Sequence, residues 1–388
     1  MTDNERLIKI TKWFMILTGF WIKPLNVGPT MKKIHSAYIV AVRIGLVSLW
    51  LLLAIELFRL IIQKYELEIV MSTIGVLIGV TKIQIKFIIF IKNKVVDLYE
   101  VVIENESKIW RSNNKEIKEL YTKNVIICRY FMFVQMLGTA VAVTSLTITG
   151  ILGNNDLIKY NHLHNTSLES HFIFQIYFPV NKLDHLVSFY LLMVMYVWCA
   201  FIFNNASHMI VTNLLLFCST RLAVLQIKMR NVVRDRNPEK YNQMLKKLIV
   251  EHVSIIQFIS TLNSRTKYLL MLEFVLSSLD VASAASNVTK TRTSDLSWWT
   301  VFFLLLTAQI FLLTWNANEI KEQSLAIADS IFKSDWYLLD KDNLKLIQLI
   351  IIRAQKPLVV TIGPFAPMTT TSALLMFKAA YSYISIMQ

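Results

Sequence analysis

Apolar residues in this chain come in blocks of about 20 or more, the length a helix needs to cross roughly 30 Å of hydrocarbon. Seven blocks predict seven spans. S1 covers 36–62 and contains RIGLVSLWLLLAIELF; S2 covers 69–91; S3 covers 125–152; S4 covers 184–217 and continues as a helix into the cytoplasm. S5 covers 249–288, but Arg265, Lys267 and Glu273 interrupt it. Its membrane part is therefore assigned to 268–288, on a longer helix that starts in the cytoplasm. S6 covers 296–317 and S7 covers 358–387. S7 is weakly apolar, with Thr369, Thr370, Thr371 and Lys378 inside it. A span this polar should face protein or water rather than lipid.

Between spans, three segments alternate apolar and charged residues at helical spacing: KEIKELYTKN, PEKYNQMLKKLIVEHVSIIQFI and NLKLIQLIIIRAQ. They predict membrane helices that extend into a cytoplasmic bundle, a natural place for subunits to pack.

Charge then sets the orientation. Lys and Arg number six in the first 35 residues, seven in 92–124, ten in 221–267 and six in 319–357. The alternate connections hold one near 64, two in 153–184 and two in 289–295, with six more inside spans. A split of 29 against 5 places the N-terminus in the cytoplasm and, after seven spans, the C-terminus outside. The formal charge of +14 is thus a topology signal rather than a nucleic-acid footprint.

Composition agrees: 55% hydrophobic and 17% charged, against about 25% charged in soluble domains. With only 9 Gly and 7 Pro and no Gly/Ser linker, residues 1–388 read as one integral membrane domain. The start, MTDNERLIKITKWF, lacks the continuous apolar core of a signal peptide. Cys128, Cys199 and Cys218 lie in or beside apolar blocks and imply neither disulfide nor metal. Asn165-Thr166-Ser167 is a sequon in the outer loop, so Asn165 is the glycosylation candidate.

No catalytic motif is present, and the spans show no clustered His, Asp or Glu of the kind a lipid-modifying enzyme would need. No cofactor or metal is expected. His162, His164 and His171 read as solvated loop residues, and Asp184-His185 as an interfacial cap or pair. Glu56 lies one turn from Arg59, close enough to pair. The outer halves of S2, S3, S4 and S6 mix aromatics, Met and small hydroxyl residues, as in MSTIGVLIG and SWWTVFFLLL. Such a lining suits a small, mostly apolar ligand; ordinary helix packing accounts for the same residues and stays open. Lys378, Ser382 and Ser385 give S7 a polar face, as a pore-lining helix would show. One helix cannot enclose a pore, so copies around an axis would be required.

The C-terminal third resembles insect odorant receptors. The stretch carrying the resemblance is NANEIKEQSLAIADSIFKSDWYLLD, then RAQKPLVVTIGPFAPMTTTSALLMFKAAYSYISIMQ. Trp336, Arg353, Gln355-Lys356-Pro357-Leu358, Gly363, Phe365 and the Ala-Tyr-Ser-Tyr run at 380–383 fall in order. Over residues 1–240 the likeness rests on topology and weak patterns such as Phe178-Pro179. The resemblance implies an all-α membrane fold whose subunits form a tetrameric, odour-gated, non-selective cation channel in the plasma membrane of sensory neurons. It implies partnership with a coreceptor, a volatile ligand, permeating monovalent and divalent cations, and contact with lipid. The long insertion of the coreceptor between S4 and S5 is missing, which makes this an odour-tuning subunit.

By the same resemblance the pocket lies in the outer half of S1–S6, residues 36–317. Helical spacing assigns to it Met71, Ile74, Gly75 and Ile78 of S2, Thr144, Thr147 and Ile151 of S3, Phe189, Met193 and Tyr196 of S4, and Trp299 and Phe303 of S6. Residues 318–388 would hold the cytoplasmic anchor and the pore helix. Anchor positions are Trp336, Arg353, Lys356, Pro357, Tyr381 and Tyr383; the gate falls at Ile386, with Ser382 below and Gln388 at the mouth.

Three alternatives compete. A homomeric channel of the gustatory type would end in Tyr, five apolar residues, Gln and Phe, whereas four residues separate Tyr383 from Gln388 and no Phe follows. A G-protein-coupled receptor needs the opposite orientation. A secondary transporter predicts internal repeats, and none is visible.

Overall fold

The computed structural model describes residues 6–24, 28–166, 172–180, 182, 184–233, 238–290 and 296–387. Among these the architecture is helical. A short helix α1 (Lys9–Leu17) precedes α2 (Pro29–Ile62), α3 (Leu67–Lys92), α4 (Leu98–Arg111), α5 (Lys115–His164), α6 (Leu186–Arg230), α7 (Pro238–Lys290), α8 (Leu296–Phe332) and α9 (Lys341–Ala354). A two-stranded hairpin, β1 (Thr361–Ile362) with β2 (Ala366–Pro367), leads into α10 (Thr370–Met387).

Among the described residues six helices, α2, α3, α5, α6, α7 and α8, are long and apolar enough to cross a membrane. They coincide with S1–S6. Each end has a local cause. Pro29 follows Gly28 at the start of α2, where its missing N–H costs nothing. Asn114 caps α5 by accepting the Ile117 N–H at 3.2 Å.

Burial follows periodicity. On α2 the buried stripe is Ile39, Leu46, Leu49, Leu53, Glu56 and Leu60, one side of a helix. The opposite side exposes Val40, Ile44, Val47, Leu51, Ile55 and Phe58, a surface matched to lipid. From Asn205 to Leu222, α6 is buried almost without interruption. A helix apolar all round belongs at a bundle centre, and α6 packs there against α5, α7 and α8. The N-terminal segment docks onto this centre. The Asn213 side chain donates to the Leu7 carbonyl at 3.1 Å, and buried Glu106 accepts the N–H groups of Arg6 (2.9 Å) and Leu7 (3.0 Å).

Several helix boundaries differ from the sequence expectation: α2 begins at Pro29 rather than 36, and α8 runs on to Phe332 rather than ending at 317. S3, expected to end at 152, continues as α5 to His164. Asn154 anchors the added turns by donating to Tyr190 Oη at 2.7 Å. S7, expected from 358, is helical only from Thr370. Leu358 N–H instead bonds Ser324 Oγ at 2.9 Å, and Thr361 N–H bonds Asn263 Oδ1 at 2.9 Å. These bonds hold the preceding chain against α8 and α7 as a hairpin.

Candidate functional site: an outer apolar cluster, a buried charge network and the last helix

The outer half of the bundle is lined by Leu49 and Leu53 of α2, Val80 of α3, Val143 of α5 and Phe189, Met193 and Val197 of α6. Phe174 and Ile176 of the loop before α6 complete the cluster. Phe172 and Phe178 lie 4.9 and 5.2 Å from the Phe189 ring, in tilted and edge geometries that favour aromatic contact.

An ion-pair knot holds that loop down. Glu56 is fully buried and accepts from Arg59 Nε (3.0 Å), Arg59 Nη2 (2.8 Å) and Lys182 Nζ (2.7 Å). Lys182 also donates to Gln175 Oε1 at 3.2 Å and stands over the Phe172 and Phe189 rings. Burial pushes the Lys182 ammonium below the ordinary lysine pKa, opposed by its bond to the Glu56 carboxylate. Tyr177 N–H bonds the Leu52 carbonyl at 3.3 Å, tying loop to α2.

A second aromatic group forms where α8 begins. Trp298 stacks on Phe302 at 4.8 Å, with Ala142 of α5, Leu305 of α8 and Phe201 of α6 around it. Trp299 and Phe303 pack toward a third cluster, formed by Val281, Ala282 and Ala284 of α7, Leu306 and Ile310 of α8, and Ala373, Met376 and Ala380 of α10.

The predicted pocket residues divide accordingly. Phe189 and Met193 are fully buried and Tyr196 packs beside them. Thr147 is buried, but its hydroxyl is spent on the Val143 and Thr144 carbonyls. Thr144 is exposed and bonds the Ala140 carbonyl, while Ile74 and Ile151 are half-buried. Met71 is 57% exposed and Ile78 50%, and Gly75 opens onto free space. On α3 the inward residues are Thr73, Val76, Leu77 and Val80. The sequence reading did not use Lys82 and Lys86, the two buried charges that mark the inward side of this span. The contributions of α2 and of the 172–178 loop were missed. Their signal is the alternation of Phe172, Phe174, Ile176 and Phe178 just before S4.

The spans do carry a cluster of titratable groups, against the sequence reading. Lys82 and Lys86 of α3, Glu273 and Asp280 of α7 and His208 of α6 converge in the membrane-embedded bundle. Lys82 Nζ reaches Glu273 Oε1 (3.2 Å), Ser277 Oγ (3.2 Å) and Asp280 Oδ2 (3.4 Å). Lys86 pairs with Glu273 Oε2 and donates to Asn204 Oδ1 at 2.8 Å and Ser207 Oγ at 3.4 Å. His208 Nε2 lies 3.0 Å from Glu273 Oε1. Two ammonium groups meet two carboxylates, so the charges compensate, as buried charges must. Glu273 alone was noticed in the sequence; its partners lie on other spans.

On the cytoplasmic side Trp336 meets Phe332 edge-on at 6.2 Å, and Arg353 Nη1 bonds the Lys356 carbonyl at 3.0 Å. Lys356 and Pro357 are exposed, as is Tyr381 on α10. Asn165 is exposed at the end of α5; Ser167 of its sequon and His171 lie outside the described residues. So do the side chains of Tyr383 and Ile386 and all of Gln388. Along α10, Ala373, Met376 and Ala380 are buried against α7 and α8, while Thr371, Leu375, Lys378, Ser382 and Ser385 share the exposed side.

Comparison with known proteins agrees with this architecture. The family model for the 7tm odorant receptor matches residues 66–381. Odorant receptor 10 of Aedes albopictus is 34% identical over 144 residues, 37% of this chain and 38% of that one. Odorant receptor Or2 of Anopheles gambiae is 32% identical over 149 residues, with the same 37% and 38% coverage. The chain thus spans well under half the length of these two relatives in the matched region. Among solved structures, the olfactory receptor OR5 from Machilis hrabei in complex with eugenol superposes with a TM-score of 0.79 at 17% identity, covering 99% of both chains. With six described helices long and apolar enough to cross a membrane and a family match over most of its length, this multi-pass plasma-membrane chain belongs to the insect odorant receptor family.

Proposed function

We propose that the chain is the odour-binding subunit of a ligand-gated, non-selective cation channel, assembled with coreceptor subunits as a tetramer around a central pore. The observation that carries this reading is the two-sidedness of α10. Thr371, Leu375, Lys378, Ser382 and Ser385 recur at helical spacing on its exposed side, opposite the buried Ala373, Met376 and Ala380. At 1.5 Å per residue its 18 residues span about 27 Å, nearly the hydrocarbon thickness. The polar members of that stripe, Thr371, Lys378, Ser382 and Ser385, span about 21 Å of the helix, an arrangement costly against lipid and suited to a water-filled axis. Four such helices around an axis make a cation path, with Ile386 as the narrow apolar gate.

The ligand is a small, mostly apolar volatile held among Phe189, Met193, Tyr196 and their neighbours in the outer half. The eugenol bound by the Machilis hrabei receptor is a ligand of this size class. Opening requires that the odorant bind the open state more tightly than the closed one.

Whole-cell current during exposure to a panel of volatiles tests this, first with the chain alone and then with an odorant coreceptor. An odour-evoked cation current only with the coreceptor supports the heteromeric reading. Current from the chain alone would establish a homomeric channel. Silence in both, with surface expression verified, would remove the channel reading.

A further inference from the structure

We propose that the network of buried Lys82, Lys86 and Glu273 with half-buried Asp280 is the strut that couples the ligand-side helix α3 to the pore-side pair of α7 and α10. The inference rests on the channel reading above and assigns these four groups as positioning residues for gating.

The argument begins with what α3 carries. Val80, with Val76 and Leu77 beside it, forms part of the outer apolar cluster that also holds Phe189 and Met193, where the proposed ligand sits. Lys82 and Lys86 follow on the same helix, about 15 and 9 Å from its cytoplasmic end at Lys92. A rigid helix therefore joins the pocket to the two ammonium groups. On the other side, Glu273, Ser277 and Asp280 recur at helical spacing along α7. The next turn of α7 supplies Val281, Ala282 and Ala284, which share a buried cluster with Ala373, Met376 and Ala380 of α10. One helix thus presents carboxylates to α3 and packs against the helix proposed to line the pore.

The link between them is stiff for two reasons. First, Lys86 is 1% exposed and Glu273 5%, so neither can exchange its partner for bulk water. Separating such a pair leaves an uncompensated buried charge, which is far costlier than moving both helices together. Second, the neighbouring space is full. The one void beside Lys86, His208 and Glu273 measures about 10 Å³, room for no more than a single water. The ammonium of Lys86 is already saturated by Glu273, Asn204 and Ser207, the last two on α6. A displacement of α3 is therefore passed to α7 rather than absorbed locally.

Lys86→Met, Glu273→Gln and the conservative Lys86→Arg, which keeps a cation opposite Glu273, test this in the assembled channel. The probe is eugenol, or whichever panel volatile gives the largest wild-type current, with currents normalised to surface-labelled protein. Lys86→Met and Glu273→Gln should each lose at least tenfold in maximal evoked current, and Lys86→Arg should stay within threefold of wild type. A merely structural role would lower the surface level and leave the current per surface-labelled protein unchanged. Neutral variants at wild-type surface level with full current would overturn the inference. Where a neutral variant fails to reach the surface, Lys86→Arg decides: a Lys86→Arg channel that reaches it without current overturns the inference as well. Silence of the wild type removes the channel reading and this inference together, whereas a conducting wild type with insensitive variants removes the inference alone.

Discussion

Gly363 donates its backbone N–H to the Lys267 carbonyl at 2.9 Å, pinning the hairpin that leads into α10 against the middle of α7. Gly363 has φ of +58°, and a Cβ there would stand 2.7 Å from Met271 Sδ. Any L residue meets both a backbone penalty and a clash. Gly363→Ala should destabilise the solubilised protein by about 1–2 kcal/mol from the backbone conformation alone, read as a lower unfolding temperature. An unchanged temperature would mean that the hairpin is not held as described.

Phe189 and Met71 were both assigned to the pocket from sequence, and the structure separates them. Phe189 is fully buried among Phe172, Phe178 and Met193, while Met71 is exposed. Phe189→Ala should cost about 3–5 kcal/mol and leave a cavity. Its odour preference should move toward bulkier volatiles in a dose–response panel. Met71→Ala should leave both stability and preference unchanged; a shift there matching that of Phe189→Ala would place α3 in a different rotation.

Lys182 holds the outer loop through Glu56, Gln175 and the rings of Phe172 and Phe189. Lys182→Met keeps the packing but leaves Glu56 with Arg59 as its cation. A lost hydrogen bond to a charged group is worth about 1.5–3 kcal/mol. Amide hydrogen exchange over residues 172–180 should therefore rise, with exchange in the α6 centre unchanged.

Glu106 anchors the N-terminal segment by accepting from Arg6 and Leu7 at 2.9 and 3.0 Å. Glu106→Ala removes both charge-assisted bonds and should expose the chain around residues 6–8 to limited proteolysis. Glu106→Gln, which keeps an acceptor oxygen, should give an intermediate rate. Equal protection in all three proteins would show that α1 docks through its apolar face alone.

Part of the packing could be read from the chain, and the limits follow from particular residues. Phe189 and Met193, chosen because S4 carries its aromatics and Met at one helical spacing, are buried together in the outer cluster. Met71, Gly75 and Ile78 were chosen on S2 without reference to Lys82 and Lys86, and the structure leaves Met71 and Ile78 exposed. The charge network escaped notice because its members look unrelated along the chain. Lys82 and Asp280 stand 198 residues apart, and Lys86 and Asn204 stand 118 apart.

What the sequence by itself determined is that the chain is a helical, multi-span membrane protein and which receptor family it belongs to; the direction of threading rests on the charge asymmetry. Span length and charge asymmetry are local quantities, summed over about 20 residues at a time, and a bilayer reads them without reference to the rest of the chain. Only the tertiary structure decided which side of α3 faces inward, which charges pair within the bundle and where α10 begins. Those outcomes depend on contacts between helices distant in sequence. In a core where a single unpaired charge is prohibitive, the pairing of Lys82 and Lys86 with Glu273 is settled by how α3, α6 and α7 come together.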